Sequence, residues 1–249
     1  MPTPNVAIID CGAGNLHSVR KAIASQLPEG ATLDVVTDAK ALKTATHIVL
    51  PGVGAFADCM RGFTALPRMR AALEDAVLLD KKPFLGICVG MQMLFKRGFE
   101  HGVHEGLGWF DGEVRMITPS DATLRIPHMG WNRLKLKHKP NSLPLRGRAG
   151  VGPSMALVEP HHGPLLSSPL LGEACPEPSF LDGITDADFV YFVHSYAASG
   201  CNAAEVLATV DYGGEVVALI GRENIMATQF HPEKSQATGL RMIQNFLNQ

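Results

Sequence analysis

The chain has 249 residues, 46% hydrophobic and 18% charged, a balance that suits a globular protein able to bury its core without covalent staples. Its formal net charge of −2 excludes the basic excess on which nucleic-acid readers rely. The five cysteines are an odd number without C-x-x-C spacing, which argues against a disulfide framework or a zinc site and for a reducing, cytoplasmic compartment.

"MPTPNVAIID" enters a strand-like run without a basic region and an apolar core, so no signal peptide is expected. No apolar stretch approaches the roughly 18 residues of a membrane span. "NVAIID" (5–10) reads as a buried strand, and Leu16, Val19, Ile23 and Leu27 then fall on one helical face. Strands follow at 32–36 and 46–52, a helix at 69–79, and a strand "PFLGI" (83–87) that leads into a helix "VGMQMLF". This order predicts an α/β fold with a mostly parallel central sheet covered by helices on both faces. A later strand-rich region predicts a small antiparallel part, with strands at 112–117, 131–137, 189–196, 205–210 and 224–230. Ser235 is placed to cap the last helix, "QATGLRMIQNFL".

Residues 139–178 hold eight of the 17 prolines, a density that forbids a helix or a central strand. They are expected to be either a loose surface excursion or a partner-docking element inserted into a single domain spanning 1–249. Arg133, Lys135, Lys137 and Lys139 alternate with Leu134 and Leu136 as on a half-buried strand, with a phosphate or nucleic-acid patch as the lesser reading. His161 and His162 have no third ligand nearby, so no metal site is expected. "CGAGNLH" lacks the third glycine of a dinucleotide fingerprint, so no cofactor is expected either.

Three stretches carry chemistry. In "GICVG", Gly86-x-Cys88-x-Gly90 is the thiol version of the nucleophile elbow, a strained strand-to-helix turn that exposes its central side chain. A helix N-terminus there would favour the thiolate, although a buried cysteine is as often inert. "QFHPEKS" (229–235) sets His231 and Glu233 two apart. Strand alternation would point both to one side, letting His231 take the thiol proton while Glu233 holds the other ring nitrogen. In "LPGVGAF" (50–56), Gly52 and Gly54 free the Val53 backbone, whose N–H could join that of Val89 in an oxyanion hole.

In order along the chain, "IIDCGAGN", "PGVGAF", "GICVGMQ", "PHMGWN", "YFVHSY" and "QFHPEKS" resemble the class I (triad) glutamine amidotransferases. "PHMGWN" and "YFVHSY" are similar to those glutaminase subunits that serve a cyclase in histidine biosynthesis. The resemblance implies a catalytic Cys88, His231 and Glu233, and a glutamine amino-acid end held by Gln92 with backbone around Ser195 and Tyr196. It also implies ammonia delivery to a separate (β/α)₈-barrel cyclase, which makes the chain half of a heterodimer. Asn15, His128, Trp131, Tyr191 and Lys234 match the docking face and ammonia gate. Ordinary packing for Trp131 and Tyr191, and a solvated charge for Lys234, are the plainer alternatives. Cys11 stands where tyrosine is frequent, "HSYA" ends in alanine where a second aromatic is common, and 139–178 has no counterpart in compact members. A sister amidotransferase, a stand-alone γ-glutamyl hydrolase and a non-catalytic thiol sensor are the competing functions. Cys59, Cys175 and Cys201 are expected to be structural.

Overall fold

The computed structural model describes residues 3–12, 14–137 and 179–249, so the proline-rich stretch, with Lys139, His161, His162 and Cys175, lies outside the described residues. An eight-stranded central sheet runs β2 (Thr32–Val36), β1 (Asn5–Ile9), β3 (His47–Gly52), β4 (Phe84–Cys88), β14 (Ile225–Thr228), β13 (Glu215–Arg222), β12 (Val206–Asp211) and β9 (Lys135–Leu136). The first five are parallel and the last three antiparallel. A four-stranded sheet of β11 (Tyr196–Ser199), β7 (Phe110–Met116), β5 (Phe95–Gly98) and β6 (His104–Glu105) and a ribbon of β8 (His128–Arg133) with β10 (Phe189–His194) complete the strands. The expected α/β class holds; the antiparallel part extends the main sheet and forms the ribbon, while the four-stranded sheet is mixed, with β5 and β7 parallel and its other two pairings antiparallel.

The connections set the layers. From β1 to β2, through α1 (Leu16–Ala24), the chain steps one way across the sheet. From β2 to β3, through α2 (Ala41–Thr44), and from β3 to β4, through α3 (Phe56–Ala65) and α4 (Met69–Glu74), it steps the other way. Right-handed crossovers therefore place α1 on one face and α2 to α4 on the opposite one. The last helix, α6 (Gln236–Leu247), packs beside α1. Covered on both sides, β3, β4 and β14 are buried at every position, which is why they read as unbroken apolar runs rather than alternating ones. At the edge, β2 buries only Val36 fully and leaves Val35 exposed.

Several expected elements divide differently. The helix after Cys88 is a single turn, α5 (Val89–Gln92), and Phe95 already belongs to β5. With every residue from Val89 to Phe95 buried, no polar face marks where the helix ends. The 69–79 helix continues as a π-helical turn at Asp75–Leu79. The 131–137 strand breaks at Leu134 into β8 and β9, in different sheets. The 189–196 strand breaks at Ser195 into β10 and β11. Ser235 stands at the N-cap position of α6 as expected, but its hydroxyl bonds no helix N–H: it donates to the His231 carbonyl at 2.6 Å and accepts the Tyr191 N–H at 3.0 Å. Lys135 and Lys137 pair with Asp211 and Glu215, and Arg133 donates to the Asp186 carbonyl, as on a solvated face.

Candidate active site

Asn15, Val53, Cys88 and His231 lie just beyond or at the C-terminal ends of β1, β3, β4 and β14, where open parallel sheets place their ligand sites. At Cys88 the backbone takes φ 55° and ψ −110°, a conformation costly for any residue with a Cβ. Its neighbours enforce it. A Cβ on Gly90 would stand 1.9 Å from the Leu50 carbonyl oxygen, and one on Gly86 3.1 Å from Ala227 Cβ and from the Gly90 carbonyl. Only glycine lets β3, β4 and β14 close around the turn. With α5 a single turn, its macrodipole is small, so electrostatic support for the sulfur must come mainly from side chains.

β14 ends at Thr228, and Glu233 sits on a 3₁₀ turn, Pro232–Lys234. The turn, not strand alternation, brings His231 Nδ1 and Glu233 Oε1 to 2.7 Å, with the two side chains 2% and 0% exposed. A backbone bond from His231 N–H to the Tyr191 carbonyl, 3.0 Å, anchors the segment. His231 Nε2 is buried with no hydrogen-bond partner among the described residues, and the Cys88 thiol is the neighbour that acts on the ring from outside its own turn. Burial acts to lower the imidazole pKa, but bonding to Cys88 and Glu233 outweighs it and raises the value to about 9. Asn15, at φ 71°, donates from Nδ2 to the same Glu233 Oε1 at 2.7 Å. The residue expected at the docking face thus bonds to the carboxylate that orients the imidazole.

Cys88, Val53, Val89, Gln92, Ser195, Tyr196 and His231 all line one cavity of about 660 Å³. Gly52 pairs with Cys88 across β3 and β4, and a Cβ there would lie 2.8 Å from the Gly90 nitrogen. Behind Val53, the Cys59 thiol donates to the Val53 carbonyl at 3.4 Å. A hydrogen bond with Cys11, then burial, raise the Cys59 pKa and keep it protonated. Cys201 is raised to about 11 by burial and then by Glu205. Gln92 Nε2 donates to the Tyr196 carbonyl at 2.9 Å and to Gln229 Oε1 at 3.0 Å.

Period two in the ribbon separates the remaining candidates. Tyr191 pairs with Trp131, and Phe189 with Arg133, on the outward face, where Met129, Trp131 and Phe189 are exposed. Tyr191 meets Trp131 edge-on at 5.9 Å, and Lys234, which lines the cavity, holds its Nζ 6.0 Å from the Tyr191 ring. His128 is on the inward face. It is 2% exposed, stacked between Phe192 and Tyr212, and bonded through Nδ1 to His194 Nε2 at 3.0 Å. It cannot form part of an exposed docking surface in this conformation.

Three residues escaped the sequence reading. Glu100 lines the cavity and accepts the Phe56 N–H at 2.8 Å. Gln229, wholly buried, donates from Nε2 toward Cys88 Sγ at 3.8 Å. His194 bonds through Nδ1 to the Tyr196 carbonyl at 2.9 Å. For Gln229 the available signal was a glutamine inside an apolar strand end, since a buried amide must find partners.

The sequence profile of glutamine amidotransferase class-I matches residues 7–249. "Imidazole glycerol phosphate synthase subunit HisH" of Brucella suis biovar 1 (strain 1330) is 46% identical over 248 residues, covering 97% of each chain. The protein of that name from Rhodospirillum rubrum is 43% identical over 245 residues, again 97% of each. Among solved structures, a glutamine amidotransferase superposes with TM-score 0.63 at 14% identity, covering 98% of this chain and 99% of that one. A glutamine amidotransferase from Thermotoga maritima gives TM-score 0.54 at 15% identity, covering 94% of this chain and 77% of that one, and at such identity both speak for the fold alone.

Proposed function

Since the chain belongs to the class I glutamine amidotransferases, we propose that it is the glutaminase subunit of an imidazole glycerol phosphate synthase, acting in histidine biosynthesis. It hydrolyses glutamine to glutamate and ammonia and works with a partner subunit. We read 1–249 as one amidotransferase domain, in keeping with the profile match from 7 to 249. The partner in this reading is a separate (β/α)₈-barrel cyclase that uses the ammonia to form imidazole glycerol phosphate and AICAR. A cytoplasmic setting follows from that pathway; among the described residues no helix is long and apolar enough to cross a membrane.

The observation that carries the chemistry is the His231–Glu233 contact of 2.7 Å in a cavity that also holds Cys88. In the proposed mechanism the Cys88 sulfur attacks the side-chain amide carbon of glutamine, and its proton passes to His231 Nε2. The carbonyl π pair moves onto oxygen, which the N–H groups of Val53 and Val89 receive; Gly52 and Gly54 allow the Val53 peptide to turn toward it. Collapse restores the carbonyl and breaks the C–N bond as His231 gives its proton to the departing nitrogen, leaving ammonia and a glutamyl thioester. A pKa near 9 suits an imidazolium that must keep this proton until the nitrogen needs it. Water then attacks the thioester, His231 takes a proton from it, and glutamate leaves as the thiol is restored. Glu233 fixes the tautomer throughout.

Gln92 spends its nitrogen on protein acceptors, so its carbonyl oxygen is left to receive the substrate ammonium. The Glu100 carboxylate lines the same cavity and complements that charge, with the Ser195 and Tyr196 backbone at the other side. The outward face with Trp131 and Tyr191, next to Lys234, is the proposed docking face and ammonia gate. Glutamine turnover by the chain, with and without the cyclase and its nucleotide ligand, tests the reading. Turnover should rise when the cyclase is present, and His231→Asn should lower kcat at least ~10³-fold with the fold unchanged. Full turnover by that variant refutes the mechanism.

A further inference from the structure

We propose that Gln229 is a further catalytic residue of this site: its amide N–H faces the Cys88 sulfur and stabilises the negative charge that gathers there. The inference rests on the glutaminase reading and adds a group that the triad does not include.

The direction of the Gln229 amide follows from a backbone carbonyl. The Tyr196 carbonyl can only accept, and it stands 2.9 Å from the Gln92 side-chain amide, so Gln92 must turn its nitrogen toward it. The same nitrogen lies 3.0 Å from the Gln229 side chain, which must therefore present its oxygen. The Gln229 nitrogen is then left on the other side, 3.8 Å from Cys88 Sγ. Turning either amide over would set oxygen against oxygen or N–H against N–H. Gln229 has no freedom to drift, because it is 0% exposed and its backbone N–H is bonded to the Ala218 carbonyl at 2.9 Å.

The carbonyl that sets this direction is itself held by a directed chain. The Arg133 N–H binds Asn132 Oδ1 at 2.8 Å, so Asn132 Nδ2 faces His128 Nε2 at 3.3 Å. His128 Nδ1 must then carry the hydrogen that it gives to His194 Nε2, at 3.0 Å, and His194 Nδ1 gives its own to the Tyr196 carbonyl, at 2.9 Å. Both imidazoles are neutral in this arrangement, since a second ring proton on either would face another N–H. Every N–H in the chain meets an acceptor, and the chain ends at the reacting sulfur. An N–H aimed at that sulfur favours the thiolate, the attacking form. It does so again when the thioester breaks and the electron pair returns to sulfur.

Two substitutions test this. Gln229→Glu keeps an oxygen toward Gln92 but replaces the N–H facing sulfur with a second oxygen, and Gln229→Met removes both polar ends without adding charge. In the full chain with its partner subunit, the rate at which iodoacetamide alkylates Cys88 at neutral pH is read by peptide mass spectrometry, beside kcat and KM for glutamine. Both variants should slow alkylation and lower kcat by roughly 10- to 100-fold. The glutamate variant should keep KM within about twofold, and the methionine variant should raise it further. Wild-type alkylation and kcat, with only KM raised, would show that Gln229 merely orients Gln92 and would overturn the catalytic assignment. If the glutamate variant does not fold, the methionine variant decides. His231→Asn, run alongside, separates the failures: full turnover there removes the triad reading and this proposal with it, whereas its loss beside wild-type Gln229 variants removes only the proposal.

Discussion

Acid should weaken this protein before its carboxylates titrate, because two imidazoles are buried in a form that cannot accept a proton. His128 and His194 are 2% and 6% exposed. The His128 pKa is lowered to about 4 by burial and then by His194. His194 is lowered to about 4 by burial, opposed by its bond to the Tyr196 carbonyl and helped by His231. Where the folded pKa is depressed, the unfolded chain binds more protons between about pH 6.5 and pH 4. The stability contributed by the pair is therefore full above about pH 6.5 and lost as pH falls through that window. At about pH 5, a shift of this size costs about 2 kcal/mol for His194. His128 shares one hydrogen bond with it, so the two costs overlap and the pair together costs about 3 kcal/mol, a large part of the ~5–15 kcal/mol of a typical domain. His231 has the opposite sign. Raised to about 9, it contributes stability that is full below about pH 6.5 and lost as pH rises through 9. Stability should thus peak near pH 6.5. Urea unfolding followed by circular dichroism at several pH values measures it, on the wild type and on a His128→Gln/His194→Gln variant whose amides do not titrate. The wild type should lose about 3 kcal/mol more than the variant between about pH 7.5 and 5. Equal losses would refute the buried neutral pair.

At the elbow, Gly90→Ala sets a methyl 1.9 Å from the Leu50 carbonyl oxygen, which neither strand can relieve without parting. It should destabilise the fold by about 2–4 kcal/mol and remove measurable turnover; a thermal melt and a glutaminase assay check both, and unchanged activity would contradict the packing. Asn15→Gly tolerates the left-handed backbone at φ 71° and deletes only the amide on Glu233. Its kcat should fall about tenfold with KM unchanged. Unchanged kcat with weaker binding of the partner subunit would return Asn15 to the docking face.

The parallel half of the sheet was legible because buried strands must be apolar on both sides, and β1, β3 and β4 are little else. Less legible was where one strand ends and the next begins. Leu134 and Ser195 interrupt runs that look continuous, and the sheet that each half joins depends on tertiary partners rather than on period. By contrast, α3 is marked in the sequence itself: Phe56, Cys59, Met60 and Phe63 repeat at helical spacing and are all buried, directly after the glycines of the Val53 loop. β13 is a similar case, an apolar run closed off by the Gly213–Gly214 turn with φ 64° and 143°.

In the site the division is physical. Cys88 and His231 stand out because one short stretch creates most of what each needs: glycines that permit a strained turn, or a proline-led turn that returns a carboxylate to its imidazole. Gln229, His194 and Asn15 depend on bonds that cross 137, 66 and 218 positions of the chain. Local spacing cannot register such bonds, but burial can. An amide or an imidazole inside an apolar strand has to be satisfied, so its residue type already implies a partner without naming one. His128 illustrates the use of this rule. Three positions from Trp131 along a strand, it must face the opposite way, and a histidine that shares its ribbon face with Gly130 and Phe192 cannot also meet a partner at the surface. That alternation, applied to "PHMGWN", separates the buried network from the exposed face proposed for docking, and it assigns His128 to the network that ends at the sulfur.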